Sequence, residues 1–400
     1  MWTEWTIATR FLREGKAQSA LILVGIGAGV AVIVFLTALI TGLQGNTIAR
    51  TLGTQSHIRI EPADERNIIL PAPPGTTQLI LEDKRAQRLR SINNWQDVRD
   101  VLDTLPEVTA VSPIVSGPAF ARRGEALESV ALVGIDPARY LRIVRVQDDI
   151  IEGEFRIAAG QAVVGRQLAI ELGLRVGDKV RLDGGQGRDA VVNVAGIFEL
   201  GVRELDSRYV YVDMRQAQSL LDLPGAATVI DLTVEHIFEA QSIAERIARL
   251  TGLKAESWME TNAQLMNALR AQSFSTRLIS VFVAISVALG IASVLSVSVV
   301  QRTREIGILR AMGTSRRQVL KVFLIQGALY GLGGSLPGGL VGYGMVTAFN
   351  TFGPKLFYVP VEPGLLAMAV ALATLTGILA AAVPARRAAT LDPVEAIRHV

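Results

Sequence analysis

Residue types able to do chemistry are few and scattered in this sequence. Three histidines, His57, His236 and His399, lie far apart, and there is no cysteine. That removes any thiolate metal site or disulfide framework, and the histidine spacing does not describe a zinc site. Gly173-Leu-Arg-Val-Gly177-Asp-Lys179 sets glycines before a lysine but lacks the G-x-x-x-x-G-K-S/T spacing of a phosphate loop. Gly184-Gly-Gln-Gly187 suits a hairpin turn. Asp148, Asp149 and Glu152 read as a solvated face, and no Ser, Asp or Glu groups with a His as a catalytic triad would. No catalytic residue is expected. The distinctive cluster is cationic. Gln301 to Gln318 carries Arg302, Arg304, Arg310, Arg316 and Arg317. Ile306, Leu309 and Met312 recur between them at three-residue spacing and are read as one apolar face of a short helix. Gly313 suits the position after the helix end, and Thr314 or Ser315 can cap the next helix. Such a helix offers a surface to be gripped.

The elements that must position it are apolar. Half of the residues are hydrophobic (50%), with a mean hydropathy of +0.36. The excess falls in four runs, each reaching the ~20 residues that cross about 30 Å of hydrocarbon. They predict spans at 17–43, at 271–300 with a preceding linker helix, at 319–350 and at 362–383. The gripping stretch, 301–318, sits between the second and third. Gly25 and Gly29 would allow a close helix contact in the first span. The third carries Gly327, Gly331, Gly334, Gly338 and Gly342 with Pro337 among them, a content suited to close packing in a membrane rather than in water. Residues 1–16 form an amphipathic, interfacial helix with Trp2 and Trp5 as anchors. A short connector spans 351–361, and the tail 384–400 offers Asp392-Pro393 as the start of a last helix. No span holds an interior charge, so a proton relay has no carrier, and energy for any uphill movement must come from another chain.

Residues 44–270 form a long polar insert. A helix is expected from Asp97 to Leu105. Strand-like segments follow at 129–135, 161–164, 179–182, 190–198, 209–212 and 229–234, with helices at 166–172 and 238–250. The fold class is therefore a polytopic α-helical membrane protein of four spans, with a large α+β extracytoplasmic domain between the first two.

Charge assigns the sides. The segment 44–277 holds 27 Lys and Arg against 31 Asp and Glu, while the remainder holds 13 against 6. The positive excess lies beside the spans, which argues for membrane topology and against nucleic acid, despite a pI near 9.3. The termini and the 301–318 helix belong in the cytoplasm, opposite the connector, which holds only Lys355.

Three groups of residues resemble a known family. Arg304-Glu-Ile-Gly-Ile-Leu-Arg-Ala-Met-Gly313, the third span, and Pro384-Ala-Arg-Arg-Ala-Ala-Thr-Leu-Asp-Pro-Val-Glu-Ala-Ile-Arg398 resemble the membrane subunits of the MacB/FtsX/LolC-LolE class of ABC transporters. Gly134-Ile-Asp-Pro-Ala138, Val163-Val-Gly-Arg-Gln-Leu-Ala169, Leu172-Gly-Leu-Arg-Val-Gly-Asp-Lys-Val180, Gly196-Ile-Phe-Glu199 onward to Asp206, and Gln326-Gly327 look like the lipoprotein-releasing LolC/LolE branch. Glu61 to Asn94 matches nothing in it. The resemblance implies a non-enzymatic permease of the bacterial inner membrane. A dimer of separate cytoplasmic ATPases would hold ATP and Mg, so no cofactor is expected on this chain. A second permease subunit, identical or a LolC/LolE-like paralogue, would pair with it, and a periplasmic carrier would receive the lipoprotein. It further implies that Arg304, Glu305, Ile306, Leu309, Arg310 and Met312 dock the ATPase. Val30, Val34 and Leu36 with Ile279, Phe282 and Val283 would line an apolar cavity between paired subunits. A MacB-like exporter of drugs, peptides or toxins, and an FtsX-like activator of a periplasmic hydrolase, are the alternatives.

Overall fold

The computed structural model describes residues 2–14, 16–63, 89–185 and 187–391. Asp392-Pro393 and the rest of the tail, like most of the Glu61–Asn94 segment, lie outside the described residues. In chain order the first elements are α1 (Trp2–Glu14), α2 (Lys16–Gly53), β1 (Ile58–Glu61), α3 (Trp95–Asp103), β2 (Val108–Arg123) and β3 (Ala126–Ile135). Next come α4 (Pro137–Tyr140), β4 (Ile150–Gly153), β5 (Gln161–Gly165), α5 (Arg166–Glu171), β6 (Lys179–Asp183), β7 (Asp189–Phe198), α6 (Arg203–Arg208) and β8 (Tyr209–Asp213). The chain continues through α7 (Met214–Leu220), β9 (Val229–Val234), α8 (Ala240–Thr251), β10 (Lys254–Ser257) and α9 (Trp258–Thr261). Last are α10 (Ala263–Gln301), α11 (Thr303–Ala311), α12 (Arg316–Phe352) and α13 (Pro363–Thr390). They divide into two units, residues 1–48 with 267–400, and residues 49–266.

In the first unit, α2, α10, α12 and α13 are long and apolar enough to cross a membrane. Lipid tails are as apolar as leucine, so helix association there depends on close van der Waals approach and on interhelical hydrogen bonds. The α12 glycines supply the approach along one stripe, in two successive stretches. Gly327 and Gly331 meet Gly377 and Ala373 of α13, while Gly334, Gly338 and Gly342 meet Ile26, Gly27, Ala31 and Val34 of α2. A buried hydrogen bond between Ser19 Oγ and Tyr330 Oη, 3.0 Å long, adds a polar link between α2 and α12. Gly29 of α2 faces Val283 and Val287 of α10, whereas Gly25 faces open space, so only one end of that glycine pair makes a contact. Near the other end of α2, Gln44 Nε2 donates to Leu269 O (3.2 Å) and Ser273 Oγ (3.1 Å) of α10. Serines on α10 occupy themselves: Ser280, Ser286 and Ser296 each donate to the carbonyl four residues back.

The second unit is one ten-stranded sheet in the order β10-β1-β9-β2-β3-β8-β5-β7-β4. β6 pairs with both β2 and β7, which closes β2-β3-β8-β5-β7-β6 into a ring. Val115, Leu132, Val164, Leu182, Val194 and Val212 fill it as a buried core. The resemblance motifs prove architectural. Asp136 accepts from Ala138 N and caps α4, with Pro137 at its first position. Asp206 is buried and accepts from Leu200 N (2.8 Å) and Gly201 N (3.2 Å). Burial raises its pKa, and those two amides oppose the rise. Arg166 pairs with Glu199 at 2.7 Å.

The 16-residue β2 escapes a sequence reading because Pro113, Gly117 and Pro118 interrupt it. Each proline sits where β2 has a partner on one side only. β9 pairs over 108–114 and β3 begins at Ile114; later, β3 alone flanks Pro118 before β6 begins at Phe120. Proline lacks an N–H, and a strand with one side open tolerates it where a strand flanked on both sides does not.

A methyl group added at Gly338 would lie 2.5 Å from Gly27 O, whereas at Gly344 it would meet nothing within 4 Å. Overpacking costs about 1–3 kcal/mol, which outweighs the ~1 kcal/mol gained in helix propensity. Gly338→Ala is expected to lower the thermal midpoint in detergent, and Gly344→Ala to leave it unchanged or raise it. Equal midpoints for the two variants would contradict the packing argument.

Candidate functional site

The candidate site is α11 and the helix ends around it. α10 stops at Gln301, and Arg302 occupies the corner with non-helical backbone before α11 starts. α11 closes at Met312, where Gly313 takes the left-handed conformation (φ +97°) that side chains rarely adopt. Thr314 N then donates to Leu309 O (3.1 Å). Ser315 caps α12 in a reciprocal arrangement: its Oγ accepts from Gln318 N, and its own N donates to Gln318 Oε1. The helix is thus Thr303–Ala311, nine residues, shorter than the 301–318 stretch.

Two opposite stripes result. The inward stripe is Arg302, Ile306 and Arg310. Ile306 is 1% exposed and belongs to the bundle core with Phe11, Phe323 and Ala385. The Arg302 guanidinium lies 4.3 Å from the centre of the Phe11 ring and donates through Nη2 to Phe11 O at 3.1 Å. Arg310 Nη1 donates to the carbonyls of Ala389 and Leu391 at the end of α13. The outward stripe is Arg304, Glu305, Ile308 and Met312, with Ile308 43% and Met312 71% exposed.

This corrects the expected single face of Ile306, Leu309 and Met312. A helix turns about 100° per residue, so two three-residue steps leave the first and last about 120° apart. Ile306 is core, Leu309 is half-buried at the border and Met312 is exposed. Arg310 likewise leaves the expected outer rim for the inward stripe. Arg304 and Glu305 do lie outside. Sequence reasoning missed Ile308, whose four-residue steps to Arg304 and Met312 were the available signal. It also missed Phe11 as the partner of Arg302.

The expected cavity residues separate. Val30 and Val283 line a small void of about 20 Å³ with Gly29, Ala284 and Thr376, among α2, α10 and α13 of this one chain. Val34 is fully buried within this chain, against Gly342 of α12. Ile279 and Phe282 are exposed on the open side of α10, and Leu36 is half-buried.

The MacB-like periplasmic core domain family matches residues 19–250, and the FtsX-like permease C-terminal family matches 277–393. The chain belongs to the MacB/FtsX/LolC-LolE class of ABC-transporter permeases. Its four apolar helices are those of a bacterial inner-membrane permease, and its α+β unit is the periplasmic-type domain of the class. It is 25% identical to the lipoprotein-releasing system transmembrane protein LolC of Xylella fastidiosa, with 98% of each chain covered. It is 24% identical to the corresponding LolE of Haemophilus influenzae, with 99% of each covered. It is 26% identical to the macrolide export ATP-binding/permease protein MacB of Shewanella oneidensis, over 96% of this chain and 58% of that one.

The two stripes of α11 make opposite demands on stability. Truncating a core isoleucine costs about 2–5 kcal/mol, and an exposed side chain within about 0.5 kcal/mol. Ile306→Ala should markedly depress the melting midpoint of the purified chain, and Met312→Ala should not. Equal midpoints would place Ile306 outside the core.

Proposed function

We propose that this chain is the permease of a lipoprotein-releasing ABC transporter, driven by ATP hydrolysed on a separate cytoplasmic ATPase dimer. The observation that carries the reading is the match of LolC to this chain from end to end, with 98% of each covered. This chain's own architecture, an α+β insert between the first two of four spans, is compatible with it. The excess of positive charge beside the spans supports a cytoplasmic side for α1, α11 and the end of α13, and a periplasmic side for the insert. α11 then presents Ile308 and Met312 to the ATPase as apolar anchors, with Arg304 and Glu305 as the polar rim around them. ATP and Mg²⁺ belong to the ATPase. A second permease subunit, identical or LolC/LolE-like, completes the assembly.

The work to be done is hydrophobic. Drawing an acyl chain from the outer leaflet costs about 0.8 kcal/mol per CH₂, too much for thermal release of a multiply acylated protein. The chain's role is to convert ATPase closure into movement of the spans and the insert, so that the lipoprotein passes to a periplasmic carrier. The MacB-like core domain across 19–250 favours a second reading, a mechanically driven exporter of drugs or peptides without lipoprotein cargo.

Two measurements test the proposal. Ile308→Asp with Met312→Asp should abolish co-purification of the ATPase while the permease still folds; undiminished co-purification rules out this docking face. The intact complex in proteoliposomes should transfer a triacylated protein to a soluble acceptor only with ATP. ATP-dependent drug efflux without such transfer would establish the exporter reading instead.

A further inference from the structure

The inward stripe of α11 holds two arginines whose contacts lead away from any docking partner. Arg302 joins the α10–α11 corner to α1. Its guanidinium stacks on Phe11 and donates to the Phe11 carbonyl, its side chain is 12% exposed, and Glu305 lies 3.7 Å from its Nη1. The Phe11 ring in turn lies 6.4 Å from that of Phe323 on α12. Arg310, two turns further on, joins the other end of α11 to α13. It donates to the carbonyls of Ala389 and Leu391, groups that a helix end leaves without partners of its own. A cation there also complements the negative end of the α13 dipole. Ile306 plugs the core midway between the two.

We propose that Arg302 and Arg310 are positioning residues that moor α11 to α1 and α13. A push on its outer stripe then moves those helix ends as one body instead of bending the Gly313 turn. The inference rests on the docking reading above for its function, but its mechanical content does not. Without the moorings, α11 would be held at its ends by a non-helical corner at Arg302 and a glycine turn at Gly313. Those are joints at which a load is lost. With them, displacement reaches α13 directly and, through α1 and Phe11, the start of α12.

The absence of cysteine allows paired spin labels at Ala311→Cys with Arg387→Cys, and at Ala311→Cys with Thr6→Cys. In the otherwise unchanged full chain, both distance distributions should be narrow. Arg310→Gln should broaden the first and Arg302→Gln the second. Arg310→Lys should restore narrowness in part, because an ammonium still reaches one carbonyl. Unchanged distributions in both glutamine variants would overturn the proposal, and they do so whether or not the cargo reading holds. In the complex, the glutamine variants should keep the ATPase bound and hydrolysing while ATP-driven transfer falls at least tenfold. Loss of ATPase binding would make these arginines docking contacts and would equally overturn the positioning role. If Arg302→Gln fails to fold, Arg310→Gln and Arg310→Lys decide the matter alone, since among the described residues the hydrogen bonds of Arg310 go to the α13 terminus.

Discussion

Close backbone approach at α12 is the constraint on which the membrane unit depends. In lipid there is little hydrophobic gain from bringing one apolar helix against another. What remains is dispersion, which falls off steeply with separation. A single stripe of glycines lets α12 touch α13 at Gly327 and Gly331 and, further along, α2 at Gly334, Gly338 and Gly342. α12 is thus the shared wall of the unit. α10 has no such stripe, and its exposed Phe274, Leu278, Phe282 and Leu289 leave it the least enclosed of the four spans. A bundle with three closely packed helices and one loosely held one is asymmetric before any partner binds.

α11 inherits its usefulness from that asymmetry. A helix of nine residues has little stability of its own in water. It is held by what its inward stripe reaches: the Phe11 ring and carbonyl, the core around Ile306, and the carbonyl end of α13. Being held on one side, it can present Arg304, Glu305, Ile308 and Met312 on the other without collapsing onto them. The insert solves a different problem in water. Its ring of six strands buries a continuous valine- and leucine-rich interior and leaves few open edges. The residues that give the insert its family likeness, Asp136 and Asp206 among them, serve caps and turns there.

How much was legible in the sequence depends on whether the signal was local. Hydropathy adds along a single helix, so the four spans could be read without knowing their neighbours. The Gly313 stop and the Ser315 cap were legible for the same reason, since both are set by bonds within a few residues. Strands with clean alternation, such as 190–198, were legible; β2 was not, because its prolines are harmless only once the partners on each side are known.

The chain alone therefore determined the membrane architecture, the cationic loop between the second and third spans, and the lack of a phosphate loop. Tertiary structure decided which side of α11 faces inward. Ile306 and Ile308 are the same residue type two positions apart, and no propensity separates them. The ends of α1 and α13 separate them, by offering a ring, a pocket and two carbonyls to one stripe and solvent to the other. The same holds for Arg304 and Arg310, alike in charge and on the same short helix. Only the placement of the α13 carbonyls makes one a mooring and leaves the other at the surface.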